Sequence, residues 1–332
     1  MNTYEDIIDK KMFFITGRGR SGTWLLQSIL DTHPDICVSP EALFIIHLYE
    51  KYRSVKNWTE KRKTIFIDDL LSEEKLVEWW QTSCDTLSGL LAKYPLETHF
   101  SALCKAVYYE YACRNDKVNT RLLGDKNPEY SLYIPQLSEL YPEAKFIHLV
   151  RDPRANFLSY QKVDFDMNST AALAYRWKLY NRDIVQLQER MPDKILIIHY
   201  EKLLTETQTT LEQICAFLEV DFLPELLEFY KFSKNIFSWN HKITQPIDPR
   251  KADAWKTEIL PQDEATIYRI CGQIAEELGY PTSLTPRLRM QDISGWTLGI
   301  LTSWLEKTLF KLPLRLRATI LKAYRKRTKV LS

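Results

Sequence analysis

Short apolar runs alternate along this chain with longer stretches of helical periodicity, and this alternation restricts the fold more than any other feature. The runs are apolar on both faces, as in strands buried inside a parallel sheet, and lie at 12–16, 121–123, 145–150 and 194–199. Helical patterns cover 22–31, 73–93, 99–114, 131–140, 153–161, 169–191 and 262–278. The order predicts a three-layer α/β protein with a central parallel sheet.

Glycines are concentrated between the first predicted strand and the helix after it. The chain has nine glycines, and three of them, Gly17, Gly19 and Gly22, fall within this one junction. Where Cβ atoms are absent, backbone amides can close on phosphate oxygens, and the helix N-terminus adds free N–H groups. Arg20 adds a charge and the neighbouring hydroxyls add donors. A P-loop-like strand-loop-helix that binds phosphate is predicted, with a tight turn without ligand as the alternative.

The same loop also bears on nucleotide hydrolysis. Gly17 and Gly22 have the spacing of GxxxxGK followed by Ser or Thr, but Thr23 stands where that motif has its Lys. The cation is inside the loop, at Arg20. Hydrolysis of a γ-phosphate is therefore disfavoured. A P-loop nucleotide or small-molecule kinase is the second candidate function, and a membrane-associated nucleotide-binding protein without catalysis is the third.

A second strand-to-helix junction predicts another anion site. Arg151 stands at the end of the strand over 145–150, and Ser159 lies two turns into the helix that Pro153 begins. Side chains so placed can converge on one anion. An Arg-Asp-Pro sequence alone is more typical of a structural turn. Combined with Arg20, however, it indicates a nucleotide that carries a phosphate at each end.

The loop at 17–24, Gly-Arg-Gly-Arg-Ser-Gly-Thr-Trp, resembles the 5′-phosphosulfate loop of the PAPS-dependent sulfotransferases, where PAPS is 3′-phosphoadenosine 5′-phosphosulfate. The continuation over 30–41 is similar to the tyrosylprotein branch and to bacterial relatives. The resemblance implies sulfonate transfer to a hydroxyl by in-line displacement, with 3′,5′-diphosphoadenosine as product and without a metal. It implies these donor-binding residues: Arg18, Gly19, Arg20, Ser21, Gly22, Thr23 and Trp24 in the loop, Arg151 and Ser159 at the 3′-phosphate, Tyr200 near the adenine, and Arg250 and Lys251 over the 3′-phosphate.

Sulfonate transfer needs a base for the acceptor and cations for the leaving oxygen. In the tyrosylprotein branch a Glu after the first helix is the base, and Glu41 stands at that place. The resemblance gives Arg20 and Lys126 as the cations. The alternative for Glu41 is an acid at the N-terminus of the helix predicted over 42–52, where the helix dipole favours it. The sequence departs from the family at Asp253, near the place of the family's catalytic Ser.

Two segments bear on the partners. Within a sulfotransferase domain over 1–284, the aromatic-rich residues 42–114 predict a helical insert that covers the acceptor. Its aromatic residues favour a small lipophilic alcohol, sterol or phenol, with carbohydrate and peptide hydroxyls as alternatives. The tail over 285–332 predicts a basic amphipathic helix, because 296–332 has nine Lys/Arg and one acid in a chain of net charge +2. This tail either lies on an anionic membrane surface or packs on the body or on a partner, and Pro313 within it favours packing.

The remaining composition predicts a cytoplasmic protein. Six scattered cysteines are typical of reduced thiols, and no His/Cys/Asp pattern has metal-ligand spacing. Neither a signal peptide nor a membrane-spanning helix is predicted. The body of the chain is not basic enough to predict nucleic acid binding. A homodimer is left open.

Overall fold

The computed structural model describes residues 4–163, 169–232, 244–281 and 290–309. The described strands are β1 Lys11–Gly17, β2 Ile36–Ser39, β3 Leu122–Lys126, β4 Lys145–Val150 and β5 Ile195–His199. They form one sheet in the order β2-β3-β1-β4-β5, and every pairing is parallel. The predicted parallel sheet is confirmed. Strand β2 was not predicted, because a run of four residues is too short to show a recognisable hydrophobic pattern.

Successive side chains of the strands enter two separate cores, because they point to opposite faces of the sheet. Phe13 and Ile15 pack into the core that also contains Leu26. Phe14 packs into the other core, where its ring stacks on Phe146 with centroids 5.3 Å apart. Both faces of the sheet are therefore covered by helices, and the three-layer prediction is confirmed.

The α-helices of the described residues are α1 Tyr4–Ile8, α2 Thr23–Leu30, α3 Phe44–Tyr52, α4 Glu60–Leu70, α5 Glu74–Glu78, α6 Cys84–Leu91, α7 Phe100–Arg114, α8 Ile134–Leu140, α9 Pro153–Gln161, α10 Thr170–Asn181, α11 Ile184–Arg190, α12 Tyr200–Thr205, α13 Thr207–Leu218, α14 Trp255–Glu258, α15 Pro261–Glu277 and α16 Met290–Leu309. Short 3₁₀-helices cover Pro128–Leu132, Pro224–Lys231 and Pro249–Ala252.

Two helices that the periodicity predicted as continuous are each broken in two. The pattern over 73–93 is interrupted between α5 and α6, where Gln81 has a left-handed φ of 52° and the Ser83 side chain caps α6. The pattern over 169–191 is interrupted after Asn181, whose side chain donates to the Trp177 carbonyl (2.7 Å) and contacts His148 on β4 (2.9 Å). Side-chain hydrogen bonds that compete with the helix ladder explain both breaks.

Most aromatic side chains of the predicted insert over 42–114 lie in the core. Tyr52 and Trp58 stack with centroids 5.3 Å apart, and Phe66 meets Trp58 edge to face at 5.1 Å. Of the ten aromatic residues behind the acceptor prediction, nine are buried, namely Tyr49, Tyr52, Trp58, Trp80, Tyr94, Phe100, Tyr108, Tyr109 and Tyr111. The tenth, Trp79, is only partly buried. The acceptor-covering role of the insert therefore stays a prediction, and its aromatic content is explained largely by packing.

The last described helix, α16, packs on α10 and α15. Residues 310–332, which hold most of the predicted basic tail, lie outside the described residues. Among the described residues, no helix combines the length and the apolar character needed to cross a membrane.

Candidate active site

The side chains predicted for the site follow the carboxyl ends of all five strands. The loop after β1 carries Arg20, and Glu41 follows β2. Lys126 ends β3, Arg151 follows β4 and Tyr200 follows β5. Because parallel strands end at one edge of a sheet, ligands of such sheets bind there. The topology thus brings these five residues from distant parts of the sequence to one edge.

The loop between β1 and α2 is tightly shaped by what surrounds it. Gly22 has a φ of 92°, and a Cβ built on it would lie 2.4 Å from Cδ2 of Tyr200. A Cβ on Gly17 would lie 2.3 Å from the Leu149 carbonyl oxygen. Arg20 itself has a left-handed φ of 66°, which costs a non-glycine residue about 1 kcal/mol or more. Backbone strain at a residue with a charged side chain is typical of a binding site.

Arg20 and Arg151 meet beneath this loop. Arg20 Nε donates to Ser159 Oγ (3.2 Å), and Arg151 Nη1 donates to the Arg20 carbonyl oxygen (2.9 Å). Burial, and secondarily the Arg151 charge, lower the pKa of Arg20, opposed by Tyr160 and Tyr200. In the part of the chain that the structure describes, neither guanidinium has a carboxylate within 4.0 Å, and Arg151 Nε is buried without a hydrogen-bond partner. Two adjacent cations without a counter-charge form an anion site.

Tyr200 completes the donor side of the edge. Its ring lies 4.5 Å from the Arg151 guanidinium carbon and covers Gly22. Two further groups hold this arrangement. Trp177 Nε1 donates to the Arg151 carbonyl (2.9 Å), and Asn156 Nδ2 donates to the Gly19 carbonyl (2.9 Å). The anion site is therefore built from the end of β4, the loop after β1 and three helices, α9, α10 and α12.

On the other side of the edge, one carboxylate binds two lysines. Lys126 Nζ lies 2.6 Å from one oxygen of Glu41, and Lys75 Nζ lies 2.7 Å from the other. Burial raises the pKa of Glu41, but the two lysines outweigh it and hold that pKa at about 2. Burial lowers the pKa of Lys126 to about 8 against the opposing attraction of Glu41. Glu41 is thus ionised, and it precedes α3, which begins only at Phe44.

Lys126 also joins the two halves of the site. Its side chain is fully buried, and its Nζ lies 3.3 Å from the centroid of the Trp24 ring. Trp24 in turn lies 6.1 Å from Trp79, and Lys75 Nζ lies 4.7 Å from the Trp79 ring. Trp24 therefore faces the carboxylate side, and its contribution to donor binding stays a prediction.

Three residues that were predicted to bind the donor have contacts that point less directly to that role. The Arg18 guanidinium is nearly buried between the rings of Tyr160 (4.2 Å) and Tyr180 (5.1 Å). Arg250 is exposed and pairs with Asp248 (2.9 Å), and Lys251 is exposed beside it. Their short helix packs on α12, which begins at Tyr200. Donor contacts by these residues stay predictions.

The other residues of the loop are packed against the helices behind it. Ser21 and Thr23 are buried, and Ser21 Oγ accepts a hydrogen bond from Asn156 Nδ2 (3.2 Å). Gly19 lies so close to Tyr160 that a Cβ would be 2.4 Å from its hydroxyl oxygen. The Gly19 carbonyl and the Ser21 hydroxyl of the loop are thus held by Asn156 of α9, the helix that also carries Ser159.

Sequence reasoning missed Lys75, Asn156 and Asp125. Asn156 lies one helical turn before Ser159 on α9, so the spacing could have indicated it. Asp125 is buried beside Lys126, accepts from the Tyr108 hydroxyl, and has its pKa raised by burial to about 7. Nothing in the sequence around Lys75 points to Glu41, because only tertiary packing of α5 brings them together. No group of three or more His, Cys, Asp or Glu side chains in the described ranges could hold a metal ion.

Comparison with known proteins identifies the architecture. A family model described as "Sulfotransferase family" matches residues 13–224. The protein-tyrosine sulfotransferase of Drosophila melanogaster is 27% identical over 230 residues, which are 67% of this chain and 40% of that protein. Protein-tyrosine sulfotransferase A of Caenorhabditis elegans is 22% identical over 285 residues, 82% of this chain and 68% of that protein.

A solved structure has the same fold. The sulfotransferase domain from the Synechococcus PCC 7002 olefin synthase superposes with a TM-score of 0.54 at 26% identity, over 82% of this chain and 95% of that domain. The family match covers more than half of the chain and includes the loop, Glu41, Lys126, Arg151 and Tyr200. The chain therefore belongs to the sulfotransferase family and is a PAPS-dependent sulfotransferase.

Proposed function

We propose that this enzyme transfers the sulfonate group of PAPS to the hydroxyl of a small lipophilic alcohol, sterol or phenol. The observation that carries the donor half is the contact between Arg20 and Arg151, two cations without a carboxylate partner among the described residues. The acceptor half depends on Glu41, whose two lysine partners, Lys126 and Lys75, lie over the rings of Trp24 and Trp79.

The two arginines have different roles in this proposal. Arg151 and Ser159 take the 3′-phosphate, following the family resemblance, and Tyr200 covers the adenosine side. Arg20 serves the bridging oxygen between phosphate and sulfur. With the donor bound, we expect Arg20 Nε to exchange its hydrogen bond to Ser159 Oγ for one to a phosphate oxygen.

Glu41 is the proposed base, and the bound donor would strengthen it. With two lysines on its oxygens, Glu41 has a pKa of about 2 and is a weak proton acceptor. A negatively charged donor placed near Lys126 draws that cation towards the leaving oxygen and adds negative charge beside the carboxylate. Both effects raise the pKa of Glu41. Basicity would then develop only when the sulfonate is present.

In the transfer step, Glu41 accepts the proton of the acceptor hydroxyl as the acceptor oxygen bonds to sulfur. The bond between sulfur and the bridging oxygen breaks on the opposite side, and its electron pair stays on the phosphate. Arg20 and Lys126 stabilise that charge. The products are the sulfated acceptor and 3′,5′-diphosphoadenosine, with the acceptor proton held on Glu41 until it passes to solvent.

The acceptor class follows from the side chains next to Glu41. Trp24 and Trp79 are both partly exposed, and their rings are tilted by 56° to one another. An apolar or aromatic acceptor body would pack against these indoles while its hydroxyl reaches the carboxylate. A sugar would need several hydrogen-bond partners, and the lysines nearest to Glu41 are already paired with it.

The test combines donor binding with an acceptor panel. Without metal, 3′,5′-diphosphoadenosine should raise the melting temperature, and Arg151→Ala should abolish that shift. Arg182→Ala, which removes an exposed arginine paired with Asp183, should keep it. With radiolabelled PAPS, simple phenols and lipophilic alcohols should be sulfated in preference to oligosaccharides. Protection by ATP with Mg²⁺ in place of the diphosphate would instead support a kinase.

A further inference from the structure

The C-terminal helix α16 presents an uncharged face to solvent. The thirteen residues from 293 to 305 include no charged side chain. We call outer face the set of its exposed apolar residues, which are Ile293 (44% exposed), Leu298 (44%), Leu301 (57%), Trp304 (60%) and Leu305 (51%). A helix that only meets water carries charged residues on its outward side. Exposed Ser294 and Thr297 on the same side of the helix add hydroxyls but no charge. An exposed cluster of apolar residues of this kind marks an interaction surface.

The opposite side of α16 fixes the orientation of this outer face. A Cβ on Gly295 would lie 2.7 Å from Cβ of Ala171, and one on Gly299 would lie 3.0 Å from the Tyr175 ring. The helix backbone therefore lies directly against α10. Asp292 pairs with Arg269 of α15 at 2.6 Å, and both side chains are more than nine-tenths buried. These contacts fix the orientation of α16 about its own axis, so the outer face cannot turn inward.

The charge that follows the helix indicates the partner. Residues 310–332 contain eight Lys/Arg and no Asp or Glu. An apolar helix face next to a basic segment is the combination that binds an anionic bilayer, because apolar insertion and attraction to lipid headgroups add. Trp304, the most exposed residue of the outer face, is of the type enriched at the bilayer interface. A second copy of the chain would bring like charges together, which opposes dimerisation through this surface.

We propose that α16 binds the surface of an anionic lipid bilayer, with its outer face lying among the headgroups. Helix α10 connects the candidate active site to α16. Ala171 and Tyr175 on one side of α10 contact α16, whereas Trp177 and Tyr180 on the other side contact Arg151 and Arg18. Docking through α16 would hold the enzyme where a lipophilic acceptor dissolves, although the surface is inferred independently of the acceptor.

The experiment measures sedimentation of the full chain with lipid vesicles at about 150 mM salt. Vesicles contain phosphatidylcholine alone or phosphatidylcholine with one quarter phosphatidylglycerol. We expect binding to the anionic vesicles to be at least about tenfold tighter than to the neutral ones. The triple variant Leu301→Ser, Trp304→Ser and Leu305→Ser should lose about tenfold or more of that affinity. Its melting-temperature shift with 3′,5′-diphosphoadenosine should be unchanged, which shows that it folds.

A matched control replaces exposed apolar residues elsewhere. Ile65, Leu96 and Val118 are 42%, 43% and 43% exposed, and their triple serine variant should bind vesicles like the parent. Replacing Arg325, Lys326 and Arg327 by Gln should weaken binding and reduce its salt dependence. The proposal is overturned if the parent ignores anionic vesicles, or if the α16 variant binds them equally well. It is also overturned if light scattering shows a dimer that only the α16 variant disrupts, without vesicle binding.

Discussion

The two halves of the candidate site both concentrate positive charge, but they differ in what balances it. Arg20 and Arg151 lie together without a carboxylate partner among the described residues. Lys126 and Lys75, by contrast, share the carboxylate of Glu41. The donor half therefore takes its counter-charge from a ligand, and the acceptor half supplies its own. This difference suits a site that binds a polyanion first and keeps its base weak until then.

Replacing Arg20 by Gln should give the largest effect, because it removes one of the two cations proposed at the leaving oxygen, and the other, Lys126, is already paired with Glu41. We expect kcat/KM to fall about a thousandfold. Steady-state kinetics with radiolabelled PAPS measures this, with Arg182→Gln as the control. Activity within a few-fold of the parent would show that the donor half does not depend on this charge.

The acceptor half is tested by Glu41→Gln, which keeps the shape of the side chain and removes the base. The value of kcat should fall about a hundredfold or more. Calorimetry should show 3′,5′-diphosphoadenosine binding within about threefold of the parent, because Glu41 is not a donor ligand here. A loss of binding equal to the loss of kcat would place Glu41 in the donor half, and the proposed difference between the two halves would no longer hold.

The variant Lys75→Gln tests the charge balance on the acceptor side of the site. Glu41 has a pKa of about 2, lower than its ordinary value, because burial is outweighed by two lysines. Removing one cation raises that pKa, so the acidic limb of the kcat profile should move to higher pH, and kcat near neutral pH should change by less than about tenfold. Lys51→Gln, which removes an exposed lysine paired with Asp69, should leave the profile in place.

The smallest expected effect concerns the aromatic cover of the donor half. Tyr200→Leu keeps apolar bulk over Gly22 and removes the ring that lies 4.5 Å from the Arg151 guanidinium. The Kd of 3′,5′-diphosphoadenosine should rise about threefold to fivefold, as expected for one cation–π contact. Tyr230→Leu, whose ring packs against Phe229, should not alter it when both variants are titrated by calorimetry.

The placement of Arg20 and Arg151 at one edge of the sheet could be predicted from the sequence because the motifs that carry them are local. Arg20 lies in the loop after β1 and Arg151 directly follows β4, and the ends of parallel strands share an edge whatever the rest of the chain does. Glu41 and Lys126 were reached through the family resemblance, and strand β2, which precedes Glu41, was not predicted. Their roles in binding and catalysis stay predictions that the variants above test.

What could not be predicted depends on long-range packing. Lys75 reaches Glu41 because α5 is a separate short helix, and its separation from α6 depends on the left-handed backbone at Gln81. The aromatic residues of 42–114 do not differ in type between core and surface, so their burial could not be read from composition. The direction of the Arg18 side chain depends on two tyrosines from different helices, α9 and α10.

The left-handed backbone of Arg20 has a consequence for evolution and engineering. Asn tolerates this conformation better than Arg, so Arg20→Asn should relieve strain while it deletes the charge. Such a variant would melt later and turn over more slowly, a trade of activity for stability. Screens that select this enzyme for heat resistance alone should then enrich inactive sequences at position 20.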